Sequence, residues 1–233
     1  MYLGILTRPD ISFALGRLSQ YLADPTTRHM SALKKLSRYI RSSQEHGIVF
    51  SRSGGDTLEG YSDSDYAMDK TDRVSILGNV FFLAGGAVSW ASKKQKSVAT
   101  STMEAEYMAM SACAKQAQHL SQVLRDMGVP HLIGDTPSKP RVKERQEYVI
   151  GSPARAVDLK GDNQACLSLV KDAHTHDRSK HIDVAYHFVR DLWKKGKISV
   201  EFVGTADMRA DGFTKPKTGP HFQRFVQQLG LVD

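Results

Sequence analysis

Three strand-like runs followed by one long helical run constrain this chain more than any other feature. Leu58 to Asp63, Val74 to Leu83 and Ala87 to Ala91 read as strands. Gly85-Gly86 between the last two signals a hairpin, so the three predict an antiparallel meander. Thr100-Ser101-Thr102 then offers capping hydroxyls, with Glu104 and Glu106 in the first turns of a helix running to Met127. Gly128 and Pro130 stop it. Further on come a strand over Arg155–Lys160, a helix after Asp162-Asn163 through Val170, and a helix over Ile182–Lys195. A strand over Ile198–Val203 and a helix over Ala206–Phe213 follow. The order β-β-β-α-β-α-α-β-α predicts an α/β fold, a mixed central sheet with helices on its faces.

The flanks differ in character. Ile11, Leu15, Leu18 and Leu22, then Met30, Leu33, Leu36 and Ile40, recur at helical spacing, with a break at Asp24-Pro25. Ser51–Asp56 reads as a linker, so residues 1–52 are expected to form a helical unit ahead of a main domain over 56–216. Residues 134–154 read as a surface insertion, and 217–233 as a tail. Without the remainder of a larger protein, the helical start is expected to expose an apolar face.

A net charge of +7 favours a polyanionic partner. The two cysteines, Cys113 and Cys166, have no metal or redox spacing, which fits a reducing intracellular compartment. No apolar run reaches membrane-spanning length, and MYLGILTRPDISF lacks the pattern of a secretory signal.

The informative residues are acids standing where apolar residues are expected. Met103, Met110, Cys113, Ala117, Leu120, Leu124 and Met127 form one helical face, and Glu106 falls on it. Glu104 instead shares the mostly polar face of Met108, Ser111, Lys115, Gln118 and Gln122. A carboxylate on a packed face needs a partner, and a metal ion is one. Asp63 ends a strand in phase with Tyr61, and Asp65 continues that phase. Asp162 stands where a strand gives way to a helix, the end at which ligands gather in α/β sheets. Asp207 and Asp211, four apart, would share a helical face. Asp69 and Asp72 read as turn residues. Oxygen ligands alone suit magnesium or manganese. Residues 63–69 fail as a calcium loop, because Met68 replaces the glycine. His174, His176 and His181 have no cysteine at zinc-finger spacing.

Several longer motifs carry a resemblance. Thr7-Arg8-Pro9-Asp10-Ile11 and residues 32–40 (ALKKLSRYI) resemble the end of copia-type reverse transcriptases. GYSDSDYAMDKTDR (60–73), VFFLAGGAVSWASKKQ (80–95), STMEAEYMAMSAC (101–113), GDNQACLSLV (161–170), RSKHIDVAYHFVRD (178–191) and ADMRADGFTKP (206–216) resemble the ribonuclease H domain of copia-type retrotransposon Pol polyproteins. The likeness covers nearly the whole chain except 134–154.

The resemblance implies a ribonuclease H-like fold, a five-stranded mixed sheet flanked by helices. It implies a catalytic, metal-ligating set of Asp63, Glu106, Asp162 and Asp211 holding two Mg²⁺ ions, with Mn²⁺ as a substitute. The implied reaction is hydrolysis of the RNA strand of an RNA–DNA hybrid. Lys93, Lys94, Lys96, Arg178 and Lys180 would contact phosphates, and Asn163 and Gln164 the RNA 2′-hydroxyls. The remaining polymerase or integrase parts of a longer polyprotein are further implied partners, in a cytoplasmic virus-like particle or the nucleus. The polymerase Asp-Asp motif is absent, so no copying activity is expected. Where many ribonucleases H carry a histidine before the last aspartate, this chain reads Val203-Gly204-Thr205-Ala206, leaving His181 or His187 as substitutes. Ser75-Ile76-Leu77-Gly78-Asn79 also departs from the usual pattern. The alternative is a catalytically inactive, nucleic-acid-binding remnant.

Overall fold

The computed structural model describes residues 2–51, 53–67, 73–134, 156–171 and 180–232, with backbone only at 180–183. Asp69, Asp72, the insertion after Gly134, Arg155, His174, His176 and Arg178 lie outside the described residues, as do the side chains of Lys180 and His181. The chain forms α1 (Tyr2–Leu6), α2 (Ser12–Ser19), α3 (Thr27–Ser42), β1 (Gly47–Ile48), β2 (Glu59–Asp65), β3 (Ile76–Leu83) and β4 (Gly86–Lys94). It continues through α4 (Thr102–Asp126), β5 (Val157–Gly161), α5 (Gln164–Lys171), α6 (Lys180–Lys194), β6 (Ile198–Phe202), α7 (Gly219–Gln228) and β7 (Leu231–Val232).

The main sheet has the order β4-β3-β2-β5-β6. β2, β3 and β4 pair antiparallel, and β2-β5-β6 pair parallel. This is the ribonuclease H-like arrangement that the motifs imply. Successive residues of β3 serve opposite faces, as the pleat requires. Phe81 joins Tyr107, Met110, Cys113, Ala114 and Ala117 of α4 in one core. Val80 and Phe82 join Tyr61, Met208, Phe213, Phe225 and Leu229 in the other. Cys113, Ala114 and Ala117 are fully buried, and their small side chains let the helix sit close on the sheet.

Gly60 shows how tightly the side chains of neighbouring strands pack beneath the helix. A Cβ there would lie 2.6 Å from Phe81 Cε1 and 2.7 Å from Leu159 Cδ2, both on buried side chains. Gly60→Ala is expected to cost about 1–3 kcal/mol by overpacking. Gly47→Ala, with nothing within 4 Å of its Cβ, is expected to change little. Paired urea melts check the contrast, and equal midpoints would contradict this packing.

The ends of the chain are built into the fold. Residues 217–233, read as a tail, pack against the rest of the chain. α7 buries Phe225 and Val226, and β7 pairs antiparallel with β1. The helical start is tied down as well. Trp90 Nε1 donates to Gly4 O at 2.7 Å. Arg8 makes a bidentate pair with Asp10, at 3.0 and 2.8 Å, and donates to Ser43 O and Oγ. Tyr39 caps the same carboxylate at 2.6 Å. Even the expected linker is bound, since Ser51 N–H donates to Ala84 O and Ala84 N–H to Gly55 O. An apolar face still remains open, with Tyr2, Ile5, Leu6 and Leu22 all exposed.

Elsewhere β4 runs on to Lys94, past the expected end at Ala91. The helix expected over 206–213 is instead two 3-10 turns, Thr205–Asp207 and Asp211–Phe213. Met208 and Ala210 between them are buried in the second core, and this anchoring overrides a continuous helix.

Candidate active site

Asp63 sits within β2, opposite Gly78 of β3. A Cβ on Gly78 would meet Thr214 Cγ2 at 2.8 Å and Phe213 Cβ at 2.9 Å. The missing side chain therefore lets the Asp211–Phe213 turn lie against the sheet beside Asp63. The Thr214 hydroxyl donates to Asp63 Oδ2. Glu106 comes from the first turns of α4. Asp162 follows directly on β5, where Asn163 Oδ1 accepts the Cys166 N–H and starts α5. The continuation of β6 brings Thr205, whose hydroxyl donates to Asp162 Oδ2 at 3.0 Å.

One oxygen from each of Asp63, Glu106 and Asp162 lies within 4.8 Å of the others. Asp63 is 1% exposed and Glu106 8%. Burial raises the Asp63 carboxyl above its ordinary range, against the opposing pull of the Lys215 charge. Burial, then repulsion from Asp63 and Asp162, pushes Glu106 up to about 9. Three carboxylates so close, two of them buried, favour either protons or a cation between them. Their hard oxygen donors fit magnesium or manganese.

Asp211 is outside this group. It is buried, but Lys215 Nζ lies 2.9 Å from its Oδ1 and Lys217 Nζ contacts its Oδ2. Lys215 also lies 4.0 Å from Asp63 Oδ2, linking the fourth carboxylate to the first. Asp207, expected on the same helical face, is exposed and pairs with Arg224 at 2.7 Å. Asp65 ends β2 half-buried and does not join the three.

The reading of Glu104 needs correction. It is 3% exposed, more buried than Glu106. What separates the two is their partners. Glu104 Oε2 accepts the Thr100 N–H at 2.6 Å and the Thr100 hydroxyl, and Ser101 Oγ accepts the Glu104 N–H. Glu104 closes the helix start, while Glu106 faces the other carboxylates. Asn163 is largely spent as the cap of α5, whereas Gln164 is exposed. Lys93 and Lys96 are exposed and Lys94 is half-buried, at the end of β4 that pairs with Ile76 and Leu77. His187 is exposed on α6 and is not among the carboxylate group. Thr205, Thr214, Lys215 and Lys217 were not singled out from sequence, although Thr214-Lys215-Pro216 closes the last of the recognisable motifs.

No family model matches the chain. It is 35% identical over 226 residues, 97% of its length, to the retrovirus-related Pol polyprotein from transposon RE1 of Arabidopsis thaliana, and it spans 14% of that relative. It is 49% identical over 121 residues, 52% of its length, to the secreted RxLR effector protein 161 of Plasmopara viticola, 85% of which is covered. Among solved structures it is similar to RNase H1 from Halobacterium salinarum NRC-1. That match has a TM-score of 0.41 at 16% identity and covers 66% of this chain and 90% of that one.

Proposed function

The chain belongs to the copia-type retrovirus-related Pol polyproteins, and from that premise we propose that it is a ribonuclease H hydrolysing the RNA strand of RNA–DNA hybrids. One observation carries the reading: Asp63, Glu106 and Asp162 arrive from β2, α4 and the end of β5 with oxygens within 4.8 Å of one another. Separate elements have no structural need to converge three acids on one point. A divalent cation gives the convergence a purpose.

Two magnesium ions would be held by Asp63, Glu106 and Asp162 and, on the far side, by Asp63 with Asp211. The chemistry such ions supply is a water nucleophile at neutral pH and relief of charge on the leaving 3′ oxygen. The chain's own part is positioning. Thr214 fixes the Asp63 carboxylate, Thr205 fixes Asp162, and burial at the start of α4 keeps Glu106 from water. The test is incubation of the full chain with a labelled hybrid and magnesium. Cleavage confined to the RNA strand, and lost on chelation, supports the reading; an intact RNA strand overturns it.

A second reading, a non-catalytic nucleic-acid-binding remnant, is favoured by the pairing of both Asp211 oxygens with lysines. Hybrid binding without magnesium-dependent cleavage would decide for it. We place the protein's work in a cytoplasmic virus-like particle or the nucleus, beside the other parts of the polyprotein.

The partner's chemistry is supported away from the carboxylates too. α3 carries Arg28, Lys34, Lys35, Arg38 and Arg41 and no Asp or Glu, in a chain of net charge +7. Only Leu36 of this helix is buried. α3 packs on α2, and Gly16 of α2 lies against Ser92 of β4, whose hydroxyl donates to Phe213 O beside Asp211. Changing Lys34, Lys35 and Arg38 together to Gln is expected to weaken hybrid binding in EDTA. The slope of log affinity against log salt should fall by about 2–3, near one per lost phosphate contact. Fluorescence anisotropy across a salt series measures it, and an unchanged slope would remove α3 from the interface.

A further inference from the structure

The position between Asp63 and Asp211 already holds a cation, the ammonium of Lys215. Its Nζ is 2.9 Å from Asp211 Oδ1 and 4.0 Å from Asp63 Oδ2. The backbone fixes it there, since the Lys215 N–H donates to Asp211 O at 3.1 Å and the residue follows Thr214, itself bonded to Asp63. Lys217 is different, for it contacts only the other oxygen of Asp211. The Lys215 charge is felt across the site, where it opposes the upward shifts of Asp63, Asp65 and Glu106. By contrast, the oxygens of Asp63, Glu106 and Asp162 lie within 4.8 Å of one another, and of the three it is Asp63 that the Lys215 ammonium reaches, at 4.0 Å.

We propose that Lys215 is a built-in counter-cation standing at the second metal position. A first divalent ion then binds at Asp63, Glu106 and Asp162 with the lysine in place, and a second binds only in exchange for the ammonium. This rests on the ribonuclease H reading and adds an order of events to it. The two cations compete for the same oxygens, and like charges a few ångströms apart repel strongly even at an effective dielectric constant near that of a protein surface. A substrate phosphate would draw the ammonium outward, because it offers Lys215 another anionic partner. Lys215 is thus a positioning residue that makes the second ion conditional.

The experiment is a Mn²⁺ titration of the full chain, with free Mn²⁺ read by its paramagnetic resonance signal. The wild-type protein should bind one ion in a first phase and a second at least about tenfold more weakly, given the charge it must displace. Lys215→Met keeps the length of the side chain and removes the charge, and should strengthen the second phase by about tenfold or more. Lys215→Arg should restore the weak second phase, and Lys217→Met should leave it closer to wild type. Two equal phases in the wild type, an unchanged second phase in Lys215→Met, or an equal shift in Lys217→Met would each overturn the proposal. No bound Mn²⁺ in the wild type would instead overturn the ribonuclease H reading on which it rests, and this proposal with it. Thermal melts of each variant establish folding, and Lys215, with its side chain 38% exposed, is a mild site to change.

Discussion

Asp63→Asn is expected to cut RNA cleavage by on the order of 10³-fold or more while leaving the protein folded, a loss of about 4 kcal/mol in transition-state stabilisation. The asparagine keeps the shape of the side chain and still accepts the Thr214 hydroxyl through its carbonyl oxygen. What it loses is the negative charge at the junction of the two proposed cation positions. Asp162→Asn is expected to match it within about tenfold, since Asp162 contributes to the same three-oxygen group. Asp207→Asn, which loses only an exposed pairing with Arg224, should leave cleavage within about twofold, as exposed pairs contribute little. Single-turnover cleavage of a labelled hybrid at saturating magnesium measures all three. Equal rates for wild type and Asp63→Asn would remove the carboxylate group from the chemistry. If the three variants slowed alike, the loss would reflect general acidity of the surface rather than a site.

The meander, the long helix and the parallel strands were legible because each carries its own local signal: a glycine pair, a capping run, or an apolar strand. Glu106 and Asp162 were legible as acids on a packed face and at a strand end before any resemblance was invoked; Asp63, read as ending its strand, lies inside β2, which runs on to Asp65. Glu104 shows the limit of helical phase. Phase assigns the faces of a helix in its middle, but the start of α4 is covered from the other side by residues 95–100, where Gln95 and Ala99 are buried. Glu104 is therefore buried on the side predicted to be wet. Spacing misled for Asp207 and Asp211 because four residues share a face only in a continuous helix. Two 3-10 turns pinned by Met208 and Phe213 stand in its place. The pairing of Gly47–Ile48 with Leu231–Val232 was beyond local reasoning, since the two partners stand far apart in the sequence and neither names the other until the chain folds. Thr205, Thr214 and Lys215 were missed because hydroxyls and lysines in loops are common, and their roles come only from what folding sets beside them.

In EDTA the thermal stability of the protein is expected to fall as pH rises from about 5 to 9, and Glu106 is the main reason. Its carboxyl is raised from an ordinary value of 4.5 to about 9, first by burial and then by Asp63 and Asp162. Between those two values the unfolded chain has released the proton while the folded chain still holds it. The folded state then binds more protons, so stability decreases with rising pH, by at most about 1.4 kcal/mol per pH unit for one such proton. Below 4.5 the group is protonated in both states and contributes no slope; above about 9 it is ionised in both, and the loss levels off. Asp63, also raised by burial, adds to the slope with the same sign. A fall of a few kcal/mol across the window corresponds to about 5–10 °C in melting temperature for a chain of this size. Glu106→Gln carries no proton to lose and should flatten much of the slope, melting above the wild type at pH 8.5 in EDTA. Magnesium should act in the opposite direction. A cation that binds the ionised carboxylates stabilises the folded state by mass action, and more so where protons compete least. The rise in melting temperature on adding magnesium should therefore grow from pH 6 to pH 8.5 in the wild type and shrink in Glu106→Gln. A wild-type melting temperature that is flat with pH in EDTA, or a magnesium effect indifferent to Glu106, would mean that this carboxylate is not held against its neighbours as the geometry requires.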